Sequence, residues 1–113
     1  MRINYSLSKE DNKKLKEIIK RGILRCCEQW LEETNKIISK EYDEKENAFD
    51  RCMEITLRSK KFYKEAMRRE DYYRTSMLLI GAANLLVEGY LTADDFEECS
   101  EEVTKKVLLL ADD

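Results

Sequence analysis

One apolar run, residues 77–87 (MLLIGAANLLV), stands in a chain whose residues are 40% charged. As a helix it is about 16 Å long at 1.5 Å per residue, well short of the roughly 20 residues that span a bilayer. The run therefore reads as a buried helix of a water-soluble fold. Its only polar stripe is narrow: Arg74, Gly81, Asn84 and Glu88, spaced by seven, three and four. An ordinary surface helix hides one face; this one needs cover on most sides. Gly81, Ala82 and Ala83 are small enough to admit a neighbouring backbone. Because glycine costs about 1 kcal/mol relative to alanine inside a helix, close packing or an approaching ligand is the expected reason for Gly81.

The run has a clear stop. Gly89 occupies the position where a left-handed residue ends a helix. Thr92 with Asp95 three residues on reads as a reciprocal cap, and Asp94, Asp95, Glu97 and Glu98 load the next first turn with the charge a helix dipole favours. The segment GYLTADDF (residues 89–96) also looks like the second half of a calcium loop. That reading fails on ligands: aligned on Gly89, the loop's third position falls on Leu86, where calcium needs an oxygen donor.

The rest of the chain also reads as helix. There is no proline and there are only three glycines, a helical profile, and 113 residues make one domain. Ser8 and Asp11 form the first cap. From there Leu15, Ile18, Ile19, Gly22, Ile23, Cys26, Trp30, Thr34, Ile37 and Ile38 recur in steps of about three or four, predicting one long amphipathic helix with Gly22 as a candidate kink. Asp43 with Glu46, and Asn47 with Asp50, are alternative caps for the next helix. That helix carries two seams, one of Phe49, Met53, Thr56, Tyr63 and Met67, the other of Cys52, Ile55, Phe62 and Ala66, which implies two neighbours. The last helix uses Phe96, Cys99, Val103, Val107 and Leu110. The expected fold is a single all-α domain over 1–113, an antiparallel four-helix bundle with an extended arm at 1–8 and helices at about 9–40, 48–69, 71–88 and 93–111.

The helix lengths do not match. The first is about 48 Å and the third and fourth about 27 Å each. Helix three is expected to cover helix two back to about residue 50, leaving the tip of the first hairpin bare with Trp30, Leu31, Ile37, Ile38, Tyr42 and Phe49. So large an apolar patch calls for cover. It can be a second copy in a symmetric dimer, another protein, or the chain itself, if helix one breaks at Gly22 or near Thr34 and folds back into a five-helix monomer.

Function classes narrow by exclusion. Histidine is absent, which removes Cys–His and Ser–His catalysis and histidine metal sites. The four cysteines contain no Cys-x-x-Cys pair, and Cys26, Cys52 and Cys99 fall on core faces, so they read as buried thiols. The N-terminus has no apolar signal region, so the cytoplasm is the expected location, with reduced thiols. Formal charge is +4 over residues 1–40, zero over 41–70 and −7 over 71–113, a polarity that suits pairing the first helix with the last. Lys61, Lys64, Arg68, Arg69 and Arg74, interleaved with Phe62, Tyr63, Tyr72 and Tyr73, offer a surface for an anionic partner, beside a second basic face of Lys13, Lys16, Lys20, Arg21 and Arg25. No carboxylate pair, metal set, cofactor motif or small-molecule substrate site is evident. The expectation is a non-enzymatic helical interaction module, an adaptor, regulator or inhibitor, that binds itself or another protein through the hairpin tip. The alternative is a nucleic-acid-associated protein using the basic faces of helices one and two.

Overall fold

The computed structural model describes residues 7–41 and 47–112. They form four α-helices, α1 (Lys9–Ser39), α2 (Ala48–Glu70), α3 (Leu78–Val87) and α4 (Glu101–Ala111), joined by short 3-10 turns at Asp71–Tyr73, Thr75–Met77 and Ala93–Phe96. No strand occurs among the described residues, and the fold is the all-α helical bundle that the periodicity predicts. Most of the arm, Tyr42 and the Asp43–Glu46 cap lie outside the described residues; Leu7 lies within them and packs on the core.

Local chemistry sets the ends. The Asp11 amide donates to Ser8 Oγ at 3.1 Å, and the Asp50 amide donates to Asn47 Oδ1 at 2.9 Å. Both ends of the Thr92–Asp95 capping box are made. Gly89 has φ +88°, and the Tyr90 amide reaches back to Leu85 O at 3.0 Å and the Gly89 amide to Leu86 O at 3.1 Å. These two bonds satisfy carbonyls that the end of α3 leaves open.

Two helix boundaries need correction. Helix one is the single long helix that the periodicity predicts: α1 is continuous through Gly22 and Thr34, so the fold-back alternative fails. That glycine is a point of close approach, since a Cβ there would sit 3.0 Å from Leu91 Cγ and 3.2 Å from Leu85 Cδ1. Helix three does not start at 71. Asp71 closes α2, and residues 71–77 make two 3-10 turns that swing Tyr72 inward. Helix four is interrupted after Phe96 and restarts at Ser100, whose Oγ accepts from the Val103 amide at 3.4 Å. The restart is tied to the first helix: Asp11 Oδ2 accepts from Ser100 Oγ at 3.1 Å.

The core is assembled without α2. Its buried apolar members are Leu15, Ile18 and Ile19 of α1, Tyr72, then Leu78, Leu79, Ala82, Ala83 and Leu85 of α3, Leu91, Phe96, and Val103 and Val107 of α4. The all-round apolar helix is thus enclosed by the N-terminal half of α1, by α4 and by Tyr72. Tyr72 lies over Gly81, where a Cβ would come within 2.6 Å of the tyrosine Cβ and Cγ. The predicted contact of helix three along helix two does not form: α3 takes α1 and α4 as its main neighbours. The molecule is accordingly long, 57 × 24 × 23 Å with a radius of gyration of 17.8 Å, against about 13 Å for a compact domain of this size.

The charge polarity is used inside the chain. Arg25 grips Asp95 through two bonds, Nη1 to Oδ2 at 2.8 Å and Nη2 to Oδ1 at 3.0 Å, and Arg21 Nη1 adds a third at 3.2 Å. The Arg25 guanidinium, aided by the Thr92 amide and Arg21, holds the Asp95 carboxyl well below the usual carboxylate range against the opposing effect of burial.

Two outcomes follow from this packing. Gly81→Ala gains helix propensity but drives a methyl group into Tyr72, and overpacking of this kind costs about 1–3 kcal/mol; the denaturant midpoint should fall. Asp95→Asn should cost about 1–3 kcal/mol at neutral pH. Because the folded-state pKa of Asp95 is depressed, its contribution is complete above the ordinary value of 3.8 and fades as pH falls below it towards the folded value. Thermal melts at pH 7 and pH 3 should therefore differ more between wild type and variant at pH 7.

Candidate protein-interaction face

α1 and α2 form an antiparallel hairpin whose register is fixed by pairs along its length. Arg51 Nη1 donates to Ile38 O at 3.4 Å, Arg58 Nη2 lies 3.3 Å from Glu33 Oε2, and Trp30 stacks on Phe62 with ring centroids 4.8 Å apart. Ile23, Trp30 and Ile37 thus form the α1 side of the seam, and Ile55 and Phe62 the α2 side; all five are half-buried.

Each helix turns 100° per residue. In an antiparallel pair, the residue before a seam position turns to one side of the hairpin on both helices, and the residue after it turns to the other. Gly22, before Ile23, meets Leu85 and Leu91. Arg68, six residues after Phe62 and so on the same side as the residues before the seam, lies 3.9 Å from Glu88. That side carries α3. The opposite side carries Leu24, Leu31 and Ile38 of α1, spaced by seven, and the Phe49, Met53, Thr56, Tyr63 and Met67 row of α2. All are exposed, Leu31 at 61% and Phe49 at 70%. The two rows share one face, turned away from α3 and α4. Other exposed apolar side chains, Leu57, Val87, Leu108 and Leu109, fall outside it.

The residues singled out for the hairpin tip therefore separate. Leu31, Ile38 and Phe49 lie on the open face, Trp30 and Ile37 belong to the seam beneath it, and Tyr42 is outside the described residues. Leu24, Met53, Tyr63 and Met67 extend the face beyond the tip. Cys52, placed on a core face by the periodicity, is exposed, whereas Cys26 is buried and Cys27 and Cys99 are half-buried. α2 is shallow because α3 spends its apolar surface on α1 and α4.

The basic group also divides. Arg69 is not on the surface: it is 3% exposed, with Nη2 2.6 Å from Glu88 Oε2 and Nη1 3.7 Å from Glu65, and its guanidinium stands 5.8 Å from the Tyr90 ring centre. Arg74 lies 3.5 Å from Asp71. Lys61 and Lys64 are exposed. On α1, Arg21 and Arg25 are committed to Asp95. Arg69 falls on the seam at a step of three after Ala66, the one sequence signal of its burial.

A cleft of about 270 Å3 opens between the helices beside Cys27, Phe62, Ala66, Arg69 and Tyr73, just below the size usual for small-molecule sites. Burial pushes the Cys27 thiol up, which keeps it protonated and a poor nucleophile at neutral pH. Among the described residues no group of three or more Cys, Asp or Glu side chains is placed to hold a metal ion, and no helix is long and apolar enough to cross a membrane. No family model, curated protein or solved structure matches the chain.

The Trp30–Phe62 stack is an apolar contact that holds α2 to α1. Trp30→Ala should destabilise the hairpin by about 1–3 kcal/mol, less than a full core truncation because the ring is half-buried. Amide exchange should quicken through residues 27–66 and stay slow in α3 and α4, which do not depend on that contact.

Proposed function

We propose that this chain is a small helical interaction module that acts by binding a protein chain along the open face of its α1–α2 hairpin, in the cytoplasm, rather than by catalysis. One observation carries the reading: two parallel apolar rows share the side of the hairpin turned away from α3 and α4. Scattered surface leucines are ordinary, but aligned rows on adjacent helices form a contiguous patch of the kind that marks interaction sites. The α1 row repeats every seven residues and the α2 row at steps of four, three, seven and four, so a helical partner seats its side chains between them. The free thiols suit a reducing compartment. The nucleic-acid alternative keeps only part of its surface: Arg21, Arg25, Arg68, Arg69 and Arg74 all lie within 4 Å of carboxylates, while Lys13, Lys16, Lys20, Lys61 and Lys64 remain exposed.

The test is site-specific photocrosslinking in the native cell. A benzophenone side chain at position 31 or 53 should give discrete protein adducts, and the same group at position 105 on α4 should give none. Leu31→Glu should abolish the adduct formed through position 53 while shifting folding stability by no more than about 0.5 kcal/mol, as exposed sites generally do. Absence of adducts from both face positions would remove the reading.

A further inference from the structure

We infer that the occupant of this face is a second copy of the chain, packed face to face about a two-fold axis that runs parallel to the hairpin helices. The inference rests on the interaction reading above and names its partner. Three features support it: spacing, area and charge.

The α1 row steps by seven and the α2 row by four, three, seven and four, spacings that suit helices packed about 20° apart, and two such hairpins stacked on one another complete a four-helix layer. The open face runs from Phe49 to Met67, about 27 Å, and is two helices wide, about 20 Å. Two copies together would bury roughly 1,100 Å2 in projection, and more once side chains interlock, which reaches the lower range of specific interfaces.

Charge selects the axis. Glu28 and Glu32 lie at the outer edge of the α1 row; on α2, Lys60 fills the step between Thr56 and Tyr63 within the row and Lys64 lies beyond its outer edge; all four are exposed. The register set by Trp30–Phe62 and Glu33–Arg58 places Glu28 level with Lys64 and Glu32 level with Lys60. A two-fold parallel to the helices keeps every residue at its level and lays α1 of one copy over α2 of the other. Each acidic edge then meets the other copy's basic edge, twice per dimer. A two-fold at right angles to the helices would instead bring Glu28 and Glu32 of both copies together, and the lysines likewise. Glu32 is 3.8 Å from Lys36 on its own helix, an exposed pair weak enough to be shared.

The experiment is solution mass by light scattering on the full chain in reducing buffer, across a concentration series, for wild type and two charge-reversed variants. The expected wild-type mass is about 27 kDa, twice the 13.5 kDa chain. Glu28→Lys with Glu32→Lys, and separately Lys60→Glu with Lys64→Glu, should each weaken self-association tenfold or more, because all four edge pairs become repulsive. An equimolar mixture of the two variants should recover the 27 kDa species, since every edge pair is then attractive again. Circular dichroism checks that both variants remain helical. A wild-type mass of 13.5 kDa at all concentrations would overturn the inference, as would charge variants that dimerise like wild type. Foreign adducts from positions 31 and 53 with a monomeric chain would end the second-copy inference and keep the interaction reading. No adducts of any kind would end both.

Discussion

A ten-residue helix that is apolar nearly all round has to be enclosed, and in this chain α1, α4 and Tyr72 enclose it. Most of the remaining architecture follows from that requirement. α3 sits on the N-terminal half of α1 closely enough that Gly22 marks the contact with Leu85, and Gly81 marks the approach of Tyr72. The Arg25–Asp95 and Asp11–Ser100 ties bring the last helical segment back along the first. Once these surfaces are matched, the core is complete, and α2 has supplied no fully buried apolar side chain to it.

α2 is consequently held by a different kind of chemistry. Its buried residues are Arg51 and Arg69, and its apolar seam on α1 is half-buried and includes the Trp30–Phe62 stack. A buried arginine contributes little net stability, because desolvation offsets much of the attraction to its carboxylate, but the hydrogen bond from Arg69 Nη2 to Glu88 Oε2 and the place of its guanidinium by Tyr90 tie the end of α2 to the segment that closes α3. The hairpin thus projects in a defined direction with one side backed by α3 only near its base. A helix placed this way presents its second seam outward, and that seam is the surface on which the proposed association depends.

Much of this was legible in the sequence, for physical reasons that differ by feature. The Ser8, Asn47 and Thr92 caps and the Gly89 stop are local: the side chain that ends the helix is adjacent to the backbone group it satisfies. The 31-residue length of α1 was also readable, since length follows from periodicity, but of the tip residues expected to be bare Leu31, Ile38 and Phe49 are exposed while Trp30 and Ile37 are half-buried against α2. What could not be read was the choice of neighbour. The Phe49–Met67 row and the Phe62 row are both apolar, and periodicity does not say which one faces a partner. The 3-10 turns at residues 71–77 were invisible for the same reason, because they exist to put Tyr72 over Gly81, a contact between segments. Arg69 sat among basic neighbours that are solvated, and only its position on the Phe62 seam distinguished it.

The native thiols supply the most direct check on the division between a closed core and an open face. Cys26 is buried beside the core and Cys52 is exposed on α2, so alkylation of the folded, dilute protein, resolved by mass spectrometry, reads both sides at once. The account predicts that Cys52 reacts at close to the rate of an unstructured peptide while Cys26 is slowed by the free energy of opening the core, a factor of at least about a hundred for a well-packed site. Equal protection of the two thiols in the dilute monomer would contradict it, because the hairpin face would then be covered by the chain itself.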